Sequence, residues 1–214
     1  MFNKSSNIVK IAILALIILV VGGYIYLNMG VRRGIPGIPD PIQTEEEAGN
    51  VQMEVDGYNV LINYEYSYEI EALVLHTKNY TPSLSIGDKL APKDLALGWG
   101  VVAEYNDRID FHWGQSGRWY SWRVSSYEEL LPVGGESEVS LHSANNHIIP
   151  ANPTIKRQLK KIKRGDHIKM KGHLANVYAS KGDKSITWNS STTREDTGNG
   201  ACELIYVTDI QWLD

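Results

Sequence analysis

The chain has 214 residues, with 21 Lys and Arg against 25 Asp and Glu, for a formal charge of −4. A slightly acidic chain lacks the basic excess of a dedicated nucleic-acid binder, so no nucleic-acid partner is expected. Its single cysteine excludes an internal disulfide and leaves the redox compartment open.

Residues 1–7 form a short tail. Residues 8–30 follow as "IVKIAILALIILVVGGYIYLNMG", where only Lys10 is charged. At 1.5 Å per residue, about 20 such residues cross a hydrocarbon core of ~30 Å. A cleaved signal peptide would carry a shorter apolar core, of about 7–15 residues, and a small-x-small cleavage site. The stretch "YIYLNMGVRR" offers none. The expectation is an uncleaved single-pass anchor with the lipid bilayer as partner. Lys4, Lys10 and the terminal amine precede the run, while Arg32 and Arg33 follow it. This balance puts the N-terminus in the cytoplasm and the bulk of the chain outside, at the cell membrane.

Residues 31–50 contain Pro36, Pro39 and Pro41, then Glu45 to Glu47. Proline favours extended backbone and the acids favour water, so this segment reads as a spacer. The folded domain is expected over residues 51–214. Val51, Met53 and Val55 alternate, and Asp56-Gly57 is a hairpin turn signal. Tyr58, Val60, Ile62, Tyr64, Tyr66, Tyr68 and Ile70 continue a period of two, the mark of a strand, and "EALVLHT" extends it. Residues 88–100 are less regular. "RIDFHWGQSGRWYSWRV" reads as two strands around a turn. "SSYEELLP" reads as a helical turn closed by Pro132, and "VGGESEVSLHSANNHIIPAN" as mostly loop.

One helix is well punctuated. Asn152 suits the N-cap and Pro153 the first helical position. Ile155, Leu159 and Ile162 make one apolar stripe, and Gly165 suits the position after the end, so a helix over 153–164 is expected. In "DHIKMKGHLANVYA", Ile168, Met170, Leu174 and Tyr178 share a face. "CELIYVTDIQWL" is the last strand. Many strands and one clear helix make the fold class mainly β. A closed or nearly closed barrel would remove exposed edges.

Several residue groups are candidates for a site. The stretch "HSANNH" offers His142, Asn145, Asn146 and His147, with Asn152 nearby, as ligand-binding candidates in a long polar loop. Two histidines without nearby carboxylates or a cysteine pair fall short of a metal site. No metal and no cofactor are therefore expected. "SSTTREDTGNG" adds Arg194 and Asp196 as polar ligand candidates. Trp119, beside Arg118 and Arg123, is an aromatic candidate. Lys156, Arg157, Lys160, Lys161 and Arg164 make a basic helix face suited to anionic headgroups.

Cys202 has two readings. As a nucleophile it needs a base, with His142 or His147 available, and Arg194 to hold an oxyanion. As a strand residue it shares parity with Leu204, Tyr206, Ile210 and Trp212, the more apolar face, and would be buried as a small hydrophobe. The second reading leads, so the chain is taken as non-catalytic.

The pattern "GDHIKMKGHLANVY … VTDIQWL" resembles strands of OB-fold barrels, a resemblance that implies a ligand face for oligonucleotides, oligosaccharides or protein. The order of anchor, spacer and β-barrel, with "HSANNHIIPANPTIKRQLKKIKRGDHI", is similar in outline to sortases. That resemblance implies His142 and Cys202 as the catalytic pair of a transpeptidase or hydrolase. No arginine follows Cys202, where the sortase pattern has one. "GWG", "QSGRWY", "HSANNHIIPAN" and "REDTGNGACE" together resemble a group of bacterial single-pass membrane proteins with no assigned activity. That implies the bacterial envelope and a partner among its proteins or polymers. The leading expectation is a membrane-anchored extracytoplasmic β-domain that binds a ligand or partner. A Cys-His enzyme is the alternative.

Overall fold

The computed structural model describes residues 4–29, 32–45, 49–81, 85–193 and 202–213; within the first helix, side chains are described for residues 10–23. The ligand candidates Arg194 and Asp196 lie outside the described residues. Two compact units result, Met1–Val31 and Arg32–Asp214.

The first unit is helix α1 (Lys4–Met29). Its apolar side chains are exposed, Leu19 at 72%. The expected spanning helix is nevertheless not found at this level. Among the described residues no helix is long and apolar enough to cross a membrane.

The second unit begins at Arg32, so most of the expected spacer is part of the fold. Ile38 is buried in the main core, and strand β1 (Ile42–Glu45) pairs antiparallel with β3 (Tyr58–Asn79). The backbone of Ile35 and Ile38 bonds to Ala103 and Gly100. Pro36 and Gly37 form a turn, Gly37 at φ +80, and regular extended structure is confined to Ile42–Glu45 among the described residues of this segment up to residue 45. Its isoleucines then gave it something to bury.

Strand β2 (Asn50–Val55) turns into β3 through Asp56 and Gly57, at φ +56 and +74. Positive φ at both turn positions is what a two-residue hairpin of matching twist requires. Next come α2 (Ile86–Leu90), β4 (Lys93–Gly98) and α3 (Gly100–Tyr105). The hairpin β5 (Gly114–Ser116) and β6 (Trp119–Ser121) turns at Gly117 and Arg118, and a 3-10 turn covers Tyr127–Val133 with Pro132 inside it. The chain ends through α4 (Glu136–Leu141), β7 (Ser143–Pro150), α5 (Pro153–Lys161), β8 (His167–Lys181), β9 (Lys184–Trp188) and β10 (Glu203–Trp212). The unit is mainly β, built on one eight-stranded mixed sheet. β3 pairs with β4, β4 with β7, β7 in parallel with β10, β10 with β8, and β8 with β3. β1 and β2 add to β3, and β9 to β8.

Register irregularities divide the core in two. An extra residue on β3 between Tyr64 and Tyr66 breaks the ladder with β8. On one side of it, Tyr68, Ile70, Ile168, Met170 and Leu174 join the main core. On the other, Val60, Ile62, Ala175 and Val177 form a second core with Leu204 and Tyr206. A bulge shifts which face points inward without ending the strand. This is why Tyr178, expected beside Leu174, is 46% exposed. A second irregularity, between Val207 and Asp209, does the same to β10. Both faces of β10 are buried, and Ile205, Val207 and Ile210 belong to the main core. The single apolar face read from parity is corrected accordingly.

Two further expectations change. The polar stretch read as loop is α4 followed by β7, an interior strand buried at Ser143 through Ile149. The helix at 153 ends at Lys161, three residues early, because Ile162 leaves it with extended backbone. Gly165, at φ +87, instead serves the turn Lys163–Asp166. Its start is as read: the Asn152 side chain accepts from Thr154 N and Ile155 N, and Pro153 follows.

Candidate functional site

A cleft of about 380 Å³ is lined by Arg118, Trp119, His147, Trp188 and Cys202, with Thr187 and Asn189 at its side. Its parts come from far apart in the chain. β7 supplies His147, the β5–β6 turn supplies Arg118 and Trp119, and β9 with the start of β10 supplies the rest. Trp119 is 44% exposed.

Arg118 organises the site. It sits at φ +74, a conformation that costs a non-glycine residue about 1–3 kcal/mol and persists where the surroundings fix it. Here its N–H donates to Tyr80 Oη at 3.1 Å, and its carbonyl accepts from Asn145 Nδ2 at 2.9 Å. The guanidinium donates to Asp94 Oδ1 at 2.7 Å, to Asp88 Oδ1 at 2.5 Å and to the Ala91 carbonyl at 2.8 Å. It stacks 3.6 Å from the centre of the Tyr80 ring. Burial, and then the Asp94 carboxylate, push the Tyr80 phenol well above its ordinary value, so it stays protonated. One arginine thus faces two carboxylates, and its charge is satisfied inside the protein.

Asp94 is fully buried. Its Oδ1 also stands 2.9 Å from His147 Nδ1, without hydrogen-bond alignment, and its Oδ2 has no hydrogen bond. Behind the cleft runs a chain of amides. His76 Nδ1 contacts Gln115 Oε1 at 2.9 Å, and Gln115 Nε2 donates to Asn145 Oδ1 at 2.6 Å. Asn145 Nδ2 in turn reaches Cys202 Sγ at 3.6 Å. Cys202 is half-buried, not enclosed in the core as read from parity, and its thiol points toward the Arg118 carbonyl at 3.9 Å.

The sequence candidates separate here. His147, Trp119 and Cys202 line the cleft, and Asn145 braces it. Asn146 is buried on the other face of β7, donating to the Leu95 and Ala144 carbonyls. Asn152 caps α5. His142 bonds to the Glu138 carbonyl at 2.9 Å and approaches Asp40 at 4.0 Å. Among the described residues lining the cleft, the histidine beside Cys202 is therefore His147 rather than His142. Lys156, Arg157, Lys160 and Lys161 are exposed, as a solvated face would be, and Arg164 is half-buried apart from them. Sequence reasoning missed Asp88, Asp94, Tyr80 and Trp188. The one available signal was the charged pair Lys93-Asp94 ahead of the apolar run "LALG". Among the described residues no group of His, Cys, Asp and Glu is placed to hold a metal ion.

Comparison with protein-family models, with curated proteins and with solved structures finds no match.

Proposed function

We propose that the second unit is an OB-like barrel that binds a neutral, polyhydroxylated polymer of the bacterial envelope in the Arg118–Trp119 cleft, without chemistry. The observation that carries this reading is where the cleft lies. It is lined by His147 of β7, by the β5–β6 turn, by the end of β9 and by Cys202 ahead of β10, with Asp94 of β4 and with Tyr80 and Asp88, from the segment joining β3 to β4, holding Arg118. OB-type barrels bind oligosaccharides and oligonucleotides at the corresponding strands and loops. The circuit of pairings β3–β4–β7–β10–β8–β3, with α5 between β7 and β8 in the chain, supports the barrel.

The lining favours the ligand class. Trp119 and Trp188 offer aromatic faces, and Thr187 and Asn189 offer polar groups. Arg118 is already neutralised by Asp88 and Asp94, so among the described residues lining the cleft no lysine or arginine is left over for a polyanion. The uncharged run in residues 11–27 and the helix Lys4–Met29 support anchoring to the cell membrane, with the binding unit outside the cytoplasm. Envelope glycan oligomers added to the full chain in a neutral detergent should quench tryptophan fluorescence saturably. Trp119→Ala should weaken that binding at least about tenfold, the effect of losing one aromatic contact. Saturable binding unchanged by Trp119→Ala would refute this site.

One observation favours a second reading. Cys202 and His147 share the cleft, and Asp94 stands behind the imidazole. This is the set of groups a cysteine transpeptidase or hydrolase uses. Native alkylation with iodoacetamide across pH separates the two. Labelling with a thiol titrating well below ~8.5 supports the enzyme, and slow labelling that follows an ordinary thiol supports the binding module.

A further inference from the structure

A second cleft, of about 590 Å³, shares no lining residue with the first. It lies within the second unit. Three arginines line it, Arg32, Arg123 and Arg164, together with His112. Asp110 is the carboxylate among the lining residues, and Arg32 already takes it at 2.8 Å, while donating to the Asp107 carbonyl at 2.9 Å. The His112 Nε2 is 3.7 Å from the same carboxylate. Among the described residues neither Arg123 nor Arg164 has a carboxylate within ion-pair distance.

This differs from the basic side of α5. There the cations are exposed and water screens them. Here Arg32 and Arg164 are half-buried and Arg123 and His112 exposed, around a concavity whose lining includes Leu75 and Phe111, both buried. Low-dielectric walls focus the field of like charges and concentrate anions. The lining is rigid as well. Trp113 packs against Phe111, ring centres 5.1 Å apart and planes tilted by 33°, and donates through Nε1 to Asn106 Oδ1 at 2.9 Å. Asn106 is itself buried and donates to the Arg33 carbonyl at 2.9 Å. Guanidinium groups present planar forks that match phosphate oxygens in pairs. The volume exceeds what one inorganic ion fills, and the aromatic wall leaves room for the group that carries it.

We infer that this cleft binds a phosphate ester, held by Arg123 and Arg164 with Arg32 and Asp110 as a fixed edge and the ester's organic part against Trp113. A soluble phosphate ester and an anionic lipid headgroup share this chemistry.

The test uses the full chain in a neutral detergent micelle with nitrogen-15 in its arginine side chains. One arm adds glycerol 3-phosphate; the other adds short-chain phosphatidylglycerol below its own micelle concentration. The Nε–H signals of Arg123 and Arg164 should shift saturably in at least one arm. A response to glycerol phosphate assigns a soluble ester, and a response to phosphatidylglycerol alone assigns a headgroup. Arg164→Gln and Arg123→Gln should each weaken binding at least tenfold. Neither removes an internal ion pair, and unchanged near-ultraviolet dichroism verifies that each variant is folded. Lys184→Gln, on exposed β9, should stay within twofold. Absence of a saturable shift in both arms overturns the inference. So does an equal loss in Lys184→Gln and Arg164→Gln, which would mean diffuse attraction to a charged surface. Neither result bears on the glycan cleft, whose readout depends on Trp119.

Discussion

Replacing Arg118 with methionine tests the construction of the candidate site most directly. The substitution keeps an unbranched apolar stem and removes the guanidinium fork. Three hydrogen bonds vanish, to Asp94, Asp88 and the Ala91 carbonyl. The consequence falls mainly on Asp94, which has no solvent exposure and whose second oxygen already lacks a hydrogen bond. The Tyr80 phenol and His147 remain beside it, and neither carries the guanidinium's fixed charge. Removing one partner of a buried ion pair costs about 3–5 kcal/mol, because the other charge is left uncompensated. Asp88 adds less, since it sits at the rim, 9% exposed. For a unit of this size each kcal/mol moves the midpoint by about 2–4 °C. A fall of roughly 6–20 °C in Tm is therefore expected, read by thermal unfolding at neutral pH. The double variant Arg118→Met, Asp94→Leu removes both charges and should unfold at a higher temperature than Arg118→Met alone, despite one more substitution. A loss under about 1 kcal/mol, or a double variant that simply adds two penalties, would show that the triad is not a buried electrostatic unit.

Two other outcomes follow from the geometry. Lys93 is buried on β4 with its ammonium bonded to the Ile162 carbonyl, and burial, opposed only by Asp166, pulls its pKa from 10.5 to about 8. The unfolded chain then holds this proton more tightly than the folded one. Stability should rise with pH between about 8 and 10.5, by up to about 3 kcal/mol; Lys93→Met should flatten that rise in denaturant titrations at pH 7, 9 and 10.5, and parallel pH profiles would refute the assignment. Gly172 faces β10 so closely that a Cβ would lie 2.1 Å from the Tyr206 carbonyl oxygen. Since that atom is backbone, Gly172→Ala should force β8 from β10 and cost more than about 3 kcal/mol in equilibrium unfolding.

How far the chain could be read depended on the distance over which each feature is decided. Asp56-Gly57, the alternation along β3 and the Asn152-Pro153 start of α5 were all legible, because turn geometry, pleat and capping involve neighbours within a few residues. β7 was not. Its asparagines and histidine look like loop residues, yet they lie in an interior strand because Asn145 and Asn146 find partners at Arg118 and Leu95, 27 and 51 positions away. Burying an amide is costly without such bonds and tolerable with them. The sequence holds the amides but not their partners' positions.

Parity along the final strand failed for a related reason. A period of two assigns faces only while the register holds, and the irregularities at Tyr64/Tyr66 and Val207/Asp209 reset it. By itself, then, the sequence determined a mainly β chain, its local turns and caps, and the charged and aromatic residues available to any site. Only the tertiary structure decided that His147 rather than His142 shares a cleft with Cys202, that Asp88 and Asp94 neutralise Arg118, and that Arg123 and Arg164 line one cleft with Arg32 and Asp110. Those juxtapositions join residues brought together by strand pairing, and pairing energy is settled across the whole sheet rather than within any one segment.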